Sequence, residues 1–439
     1  MKRDFHYRYD ILQNGIMTSN KNSLIHRQIG QYATDGLVTD FYNFHETERL
    51  ALKRIVTDQN GHPVKETYYV DAVVFYCDVE PLLDSSCFYS TPIPLYFPYK
   101  LTGEGTKEKP WNNIYEATKI INCYYHMNCC NRYAVLKIRG KINYSLSAFF
   151  GYGELFVLYD LSDLEFQISD KIKESYYGSD WVDSNTVILM NGNALYAKNL
   201  NIDKKIQTNK ELNIILACKY LSNSEINLEI NNNLSDSGYY GCSSFEFFDC
   251  IDSDIKIKQN YNISRHNDFV VDIRHGANIG VDITLESNSG ICRSQVALGY
   301  YDALFVDCEF NQKVYSKNGY DATCEAYLNG SGILKNVTSR VNAVCDAIID
   351  GDDIDGYASA IGFREGSEYH SNKFISCTAL SSASAGTETL AGCEYRYAGF
   401  VGNAHTVYYN CSGTIGKWCS RGYCRWFHEL GCDPYGDIV

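Results

Sequence analysis

Over the C-terminal two thirds of the chain, apolar and polar residues alternate in short runs, each running through or up to an Asn or a Cys. The runs include Leu195–Ile202, Tyr220–Ile230, Phe247–Ile257, Ala277–Leu285, Leu304–Phe310 and Phe374–Leu380. Alternation with a period of two predicts strands that bury one face. The Asn or Cys positions are 199, 223, 250, 278, 308, 336, 377 and 411, separated by 24, 27, 28, 30, 28, 41 and 34 residues. A recurring unit of that size, made of strands and Gly/Asn/Ser turns, predicts a stack of β coils. Asn suits the bend of each coil because it tolerates left-handed backbone and its amide can bond the next Asn in the stack. Cys, small and readily buried, is expected to replace Asn there. A β-sandwich is the competing reading, but its strands should return every 8–12 residues without a fixed corner residue.

The segment ahead of the repeats narrows the fold. Gly103-Glu-Gly-Thr-Lys-Glu-Lys-Pro110-Trp111-Asn-Asn-Ile114-Tyr-Glu-Ala117 resembles the lead-in to pectate-lyase-like right-handed β-helices, a superfamily that includes phage tailspikes. The resemblance implies an all-β fold, a right-handed parallel β-helix over residues 101–417 that opens on a short capping helix. Ile114, Ala117, Ile121 and Tyr125, flanked by Ile120 and Tyr124, form an apolar helical stripe suited to plugging the first coil. Function does not follow from such a fold, which hosts lyases, hydrolases, adhesins and virion proteins alike.

The two ends differ from the middle. Residues 1–100 are aromatic, mixed and free of repeats, and are expected to form a small head that packs on the first coil or attaches it to a larger assembly. Within it, Leu50–Val56 suggests a short helical stretch, whereas Leu52–Thr57 and Glu66–Tyr76 around the turn Asp58–Pro63 suggest a β-hairpin. Residues 418–439 are dense in aromatics and thiols and are expected to close the last coil. Cys411, Cys419, Cys424, Cys432 and His428 could supply zinc ligands, but no CxxC pair is present and the aromatic plug is preferred.

Composition sets the surroundings. With 39 Lys+Arg against 53 Asp+Glu, the net charge is −14, which leaves no basic surplus for nucleic acid and disfavours anionic membranes. No uncharged apolar run is long enough for membrane insertion, and no apolar stretch behind Met1–Asp10 reads as a signal peptide. Most of the 18 cysteines are therefore expected to be reduced, in a chain made in a host cytoplasm. The 37 Tyr favour pleated surfaces and sugar-binding faces.

Candidate chemistry lies in two acidic clusters. The first is Asp346-Ala-Ile-Ile-Asp350-Gly-Asp352-Asp353-Ile-Asp355-Gly356, followed by Tyr357, Arg364 and Glu365, and it falls in the longest interval of the repeat as an expected protruding loop. Asp350, Asp353, Asp355 and Glu365 could serve as acid and base in glycoside cleavage, or hold Ca²⁺ against an acidic sugar, though the EF-hand pattern is not met. The second cluster is Asp268, Asp272, Arg274 and His275, with Arg293 nearby. There His275, beside Asp272 as a further catalytic candidate, could abstract a proton next to a uronate carboxylate that Arg274 neutralises. Arg274, Arg293, Arg364 and Tyr357 are the expected substrate-binding groups. A solvated acidic loop and a surface ion-pair ladder are the unreactive alternatives. The combined expectation is a virion receptor-binding protein of tailspike or tail-fibre kind, a homotrimer that recognises host surface polysaccharide and joins other tail proteins through its head. A polysaccharide lyase or glycoside hydrolase, and a non-enzymatic adhesin, are the alternatives. Titration of denatured, unreduced protein should find most of the 18 thiols free; nearly complete oxidation would overturn the cytoplasmic expectation.

Overall fold

The computed structural model describes residues 45–79, 102–112, 114, 117–118, 121, 133–143, 157–167, 185–208, 212–233, 240–262, 266–288, 290–299, 302–317, 320–346, 348–350, 353–366, 370–386, 393–402, 405–420 and 423–427. These residues are nearly all β, and most of the strands pair in parallel with the strand one repeat later in the chain. Three parallel ladders recur, one for each stretch of the repeat. The first joins Ile291–Leu298, Asp321–Leu328, Asp353–Glu365 and Cys393–Val401. The second joins the short strands Asp302–Val306, Ser331–Lys335, Asn372–Ile375 and Val407–Tyr409. The third joins Glu309–Ser316, Thr338–Cys345 and Thr378–Ala385. Tyr240–Tyr261 and His266–Ser287 are long enough to pass through all three stretches in turn.

Because the ladders are in register, inward residues stack in columns. One runs Ile226, Ile255, Val281, Phe310, Ser339 and Ala379, every member buried. Rings also meet across coils: Phe374 stacks on Tyr408 at 5.3 Å and 9°, and Phe245 meets Phe269 edge-on at 5.2 Å. A column buries like against like, which is what lets one alternating pattern serve every coil.

The bend between the second and third stretches is set by single residues with left-handed backbone: Asn199, Asn223, Asp252, Asn278, Asp307, Asn336, Ser376 and Asn410. Their side chains form a ladder along the stack. Asn223 Nδ2 donates to Asn199 Oδ1 (2.7 Å), Asn278 to Asp252 (2.9 Å), and Asn336 to Asp307 (2.9 Å). The Asn corners are as the spacing predicted, but the Cys corners are not. Cys308, Cys377 and Cys411 each follow the left-handed residue, and Cys250 precedes Asp252 by two. The position after the bend turns inward; in three coils it is Leu200, Ile279 or Val337, and in the others a small group that donates back to the carbonyl two residues earlier. Ser224, Ser253, Cys308, Cys377 and Cys411 all make this bond, at 2.9 to 3.5 Å. Ser and Cys are thus interchangeable there, and Cys does not take the exposed corner among the described residues.

The strands Thr47–Thr57 and Pro63–Val79 form an antiparallel hairpin whose register runs from Thr57↔Pro63 to Thr47↔Val73. The helix expected over Leu50–Val56 is therefore a strand; its alternating side chains find partners across the hairpin that an isolated helix would lack. The end of the second strand continues into the stack, pairing in parallel with Tyr133–Asn143 and placing Val73, Phe75 and Cys77 in the main core. The rest of the hairpin runs over the coils. Leu50 packs with Val135 and Leu158, Ile55 packs on Ile251, Ala277 and Val306, and Lys53 and Lys65 both reach Asp252.

The Gly-rich lead-in packs on the same hairpin. Trp111 is fully buried and stacks on Phe75 at 5.4 Å, while Gly103 and Gly105 have left-handed backbone. A Cβ on Gly105 would lie 2.8 Å from the Trp111 ring, so only glycine admits that contact. Ile114, Ala117, Thr118 and Ile121 have helical backbone and are buried, with the Thr118 and Tyr159 hydroxyls 2.9 Å apart. Ile120, Tyr124 and Tyr125 lie outside the described residues. At the far end the parallel pattern stops. Gly416–Ser420 pairs antiparallel with Cys393–Val401, and Tyr423–Phe427 folds back on it. Cys419 is disulfide-bonded and so is no zinc ligand; His428 and Cys432 lie outside the described residues.

Asn278→Val should lower stability by about 2 kcal/mol, losing both a ladder bond and a residue at ease with left-handed backbone. Asn278→Gly, which keeps only the backbone freedom, should cost less. Urea midpoints of the two variants and the parent test this order; equal losses would mean that the backbone conformation at the corner is not what matters.

Candidate functional site

Outward residues of the first ladder fall into rows that cross the coils. One row is Asp268, Arg293, Thr323, Ser359 and Arg396; the next is Val270, Gln295, Glu325 and Ile361. Flanking them is the row Asp321, Tyr357 and Glu394. Together these rows line an open groove of about 480 Å³.

Its polar groups are fixed by bonds between neighbouring coils. Arg293 pairs with Asp321 at 2.7 Å, Gln295 Nε2 donates to Glu325 at 2.8 Å, and Arg364 reaches the other Glu325 oxygen at 3.2 Å. Arg396 donates to the Ser359 hydroxyl at 2.9 Å and lies over the Tyr357 ring at 5.6 Å. At its border Trp418 Nε1 donates to Glu394 at 2.8 Å. Arg364 is on this face because of a bulge: Glu325 pairs with Ile361 but Tyr327 pairs with Arg364. The extra residue keeps Phe363 in the core and turns Arg364 outward.

Asp272, Arg274 and His275 lie at the edge of the same face, where the chain bends into the second stretch. Tyr220, Asp249, His275 and Leu304 occupy one row across the coils. Phe248, 37% exposed, lies between two cations, with the Arg274 guanidinium 4.3 Å and the Lys219 ammonium 5.4 Å from its ring. Partial burial pushes Asp249 up to about 6 even though Arg274 and Lys219 oppose the shift. Burial, then the Glu246 carboxylate directly across from it, pushes Asp272 up to about 6. Burial, then Arg274, pushes His275 down to about 4. Its Nδ1 accepts the Leu304 backbone N–H at 3.2 Å, so in the neutral ring Nε2 carries the proton. His275 is thus a neutral ring at neutral pH, with Nδ1 accepting and Nε2 carrying the proton.

The acidic segment is not a loop. Ile348–Asp350 and the start of Asp353–Glu365 pair as an antiparallel hairpin, with Asp350 directly across from Asp353 and Asp355 across from Ile348. The side chains of Asp350, Asp353 and Asp355, and the whole of Gly351 and Asp352, lie outside the described residues, and with them the expected Ca²⁺ site. Glu365 accepts the Thr406 hydroxyl at the opposite end of the strand. Among the described residues no three His, Cys, Asp or Glu side chains converge as a metal site.

The structure thus brings Arg293 and Tyr357 to one groove, ties Arg364 to its Glu325 and sets Asp272, Arg274 and His275 beyond its edge, but it does not join the two acidic clusters. Asp272 shares a row with Arg364 three coils away, about 14 Å across the strands, and Tyr357 is about 20 Å further along them. Paired carboxylates for glycoside cleavage need about 5 to 10 Å. Glu325, Gln295, Arg396, Phe248 and Asp249 were not singled out in the sequence; their signal is an outward phase in the alternation, which needs the register to read. No protein-family model, curated protein or solved structure matches the chain.

Asp249 and Asp272 bind their protons more tightly folded than unfolded. Between about pH 4 and 6 the folded state therefore carries these extra protons, and the two groups' contribution to stability falls as pH rises through that window. Asp272→Asn should raise the thermal midpoint at about pH 7.5 and leave it nearly unchanged at about pH 4. The same gain at both values would show that charge burial is not its cause.

Proposed function

We propose that the chain is a right-handed parallel β-helix of tailspike or tail-fibre kind, and that its groove binds an extended cell-surface polysaccharide. The carrying observation is the repeat of the groove itself. Each coil adds one set of outward polar groups about 4.8 Å from the last, close to the rise of one sugar unit along an extended glycan. Arg293, Arg364 and Arg396 supply forked donors, Glu325 an acceptor, and Tyr357 a ring, which is the mixture that hydroxyl- and carboxylate-bearing sugars need. The buried helical positions Ile114, Ala117 and Ile121 support a cap over the first coil. In this reading the protein is a virion component, assembled as a homotrimer and joined to other tail proteins through its N-terminal region.

A second reading, cleavage of the bound glycan, is favoured by one observation. Asp272, which holds a proton up to about 6, is the register partner of Glu246 on the neighbouring coil, so two carboxylates of unequal proton affinity face out side by side, as an acid and a nucleophile do in glycosidases. Arg274 beside them would position an acidic sugar.

Binding to immobilised polygalacturonate, alginate and neutral dextran, read by retention and by newly formed reducing or unsaturated ends, separates these readings. Arg293→Ala and Arg396→Ala should each weaken retention of an acidic glycan by about tenfold, the cost of one charge-assisted contact. Unchanged retention in both variants would remove the groove from the proposal. New ends that vanish in Asp272→Asn would establish cleavage; retention without new ends would establish a receptor-binding role alone.

A further inference from the structure

We propose that Cys411 and Cys377 form a thiol–disulfide exchange site that staples the last two described coils together, with a low-molecular-weight disulfide as its oxidant. The inference stands apart from the glycan reading and begins with placement. The two residues occupy the same inward position after the bend in successive coils, immediately before the ladder pair Thr378↔Ser412. The Ser412 N–H donates to the Cys377 carbonyl at 3.0 Å, which holds the two backbones one coil spacing apart. That spacing of about 4.8 Å lies inside the Cα range of a disulfide. Both sulfurs also sit alike, each within 3.5 Å of the carbonyl oxygen two residues back.

Exposure and ionisation then separate this pair from the other cysteines. Of the ten free cysteines among the described residues, nine are buried and Cys411 alone is partly open. Burial pushes Cys218, Cys250, Cys292, Cys308, Cys324 and Cys345 above the ordinary thiol range. Cys411 is shifted the other way, because the Cys377 thiol donates to its sulfur and backbone N–H groups add to that, outweighing its partial burial. Cys411 is thus the accessible thiolate and Cys377 the proton-bearing neighbour behind it, the arrangement of an attacking and a resolving thiol. The bond can close because the last coil is held there by a ladder only two residues long, Ser412–Gly413, which yields more easily than the eight-residue ladders below it.

The chemistry balances as two displacements. The Cys411 thiolate attacks one sulfur of the small disulfide, forms a mixed disulfide and releases one small thiolate. Cys377 loses its proton and attacks the Cys411 sulfur, forming the Cys377–Cys411 bond and releasing the second thiolate. Two protein thiols are oxidised, and one small disulfide is reduced to two thiols.

The test uses the full chain, reduced, desalted and exposed to glutathione disulfide near neutral pH, with peptide mapping of the products. The native protein should give a Cys377–Cys411 cross-link. Cys377→Ser should stop at glutathione on Cys411, and it is expected to fold because Ser fills the equivalent positions 224 and 253. No cross-link in the native protein, or glutathione spread evenly over other cysteines in the variant, would overturn the proposal. Should the variant not fold, iodoacetamide labelling of the native protein decides. Cys411 must label ahead of the other nine free cysteines, with a half-point below the ordinary thiol value; equal rates sink the site.

Discussion

Everything in this structure depends on successive coils lying on one another in register with their strands parallel. Parallel ladders give no freedom to slip, since a one-residue shift would turn every buried column outward. Each coil must therefore bend at the same place and by the same angle. That bend is made by one residue in left-handed backbone, whose exposed side chain is then available to bond the coil beside it. The corner ladder and the buried columns are two results of that single requirement. It also explains why the residues at the bend are Asn, Asp or Ser: each tolerates the backbone and carries a polar group short enough to reach its neighbour.

The groove is a third result. Stacking that aligns Phe and Ile on the inside aligns Arg, Gln and Glu on the outside, so the groove is built from rows and needs no long loop. One bulge refines it by bringing Arg364 to the outer face. At the groove edge the fold keeps two carboxylates in surroundings that disfavour their charge, Asp249 beside Phe248 and Asp272 beside Glu246. A purely structural surface would gain stability by replacing them with Asn.

The parallel, all-β character was legible because alternation and repeat length are local properties of the chain. So were the Asn corners, since few residues adopt left-handed backbone readily. The Cys corners were misread for a physical reason: Asn and Cys fall one or two residues apart in neighbouring coils, and spacing alone does not distinguish the exposed bend from the inward position after it. The strand at Leu50–Val56 could not be told from a helix because its partner across the hairpin decides the matter. In the candidate site, Arg293, Tyr357 and Arg364 were visible as charged or aromatic residues among strands. Glu325, Asp249 and Phe248 were not, because what marks them is which neighbour lies across the ladder.

The hairpin laid over the outside of the coils fixes an order of events in folding. Its residues leave the ribosome before those of the coils, yet Lys53, Lys65 and Ile55 find their partners only at Asp252, Ile251, Ala277 and Val306. Some two hundred residues must be synthesised and coiled before this early segment can dock, a loop closure with a large entropic cost that local strand pairing cannot offset. Until then the hairpin has the first coil to pair with, through Tyr133–Asn143, but the part around Ile55 has nothing to lie against. The first of the described strands is thus among the last to be secured along its length, and the growing stack serves as its template.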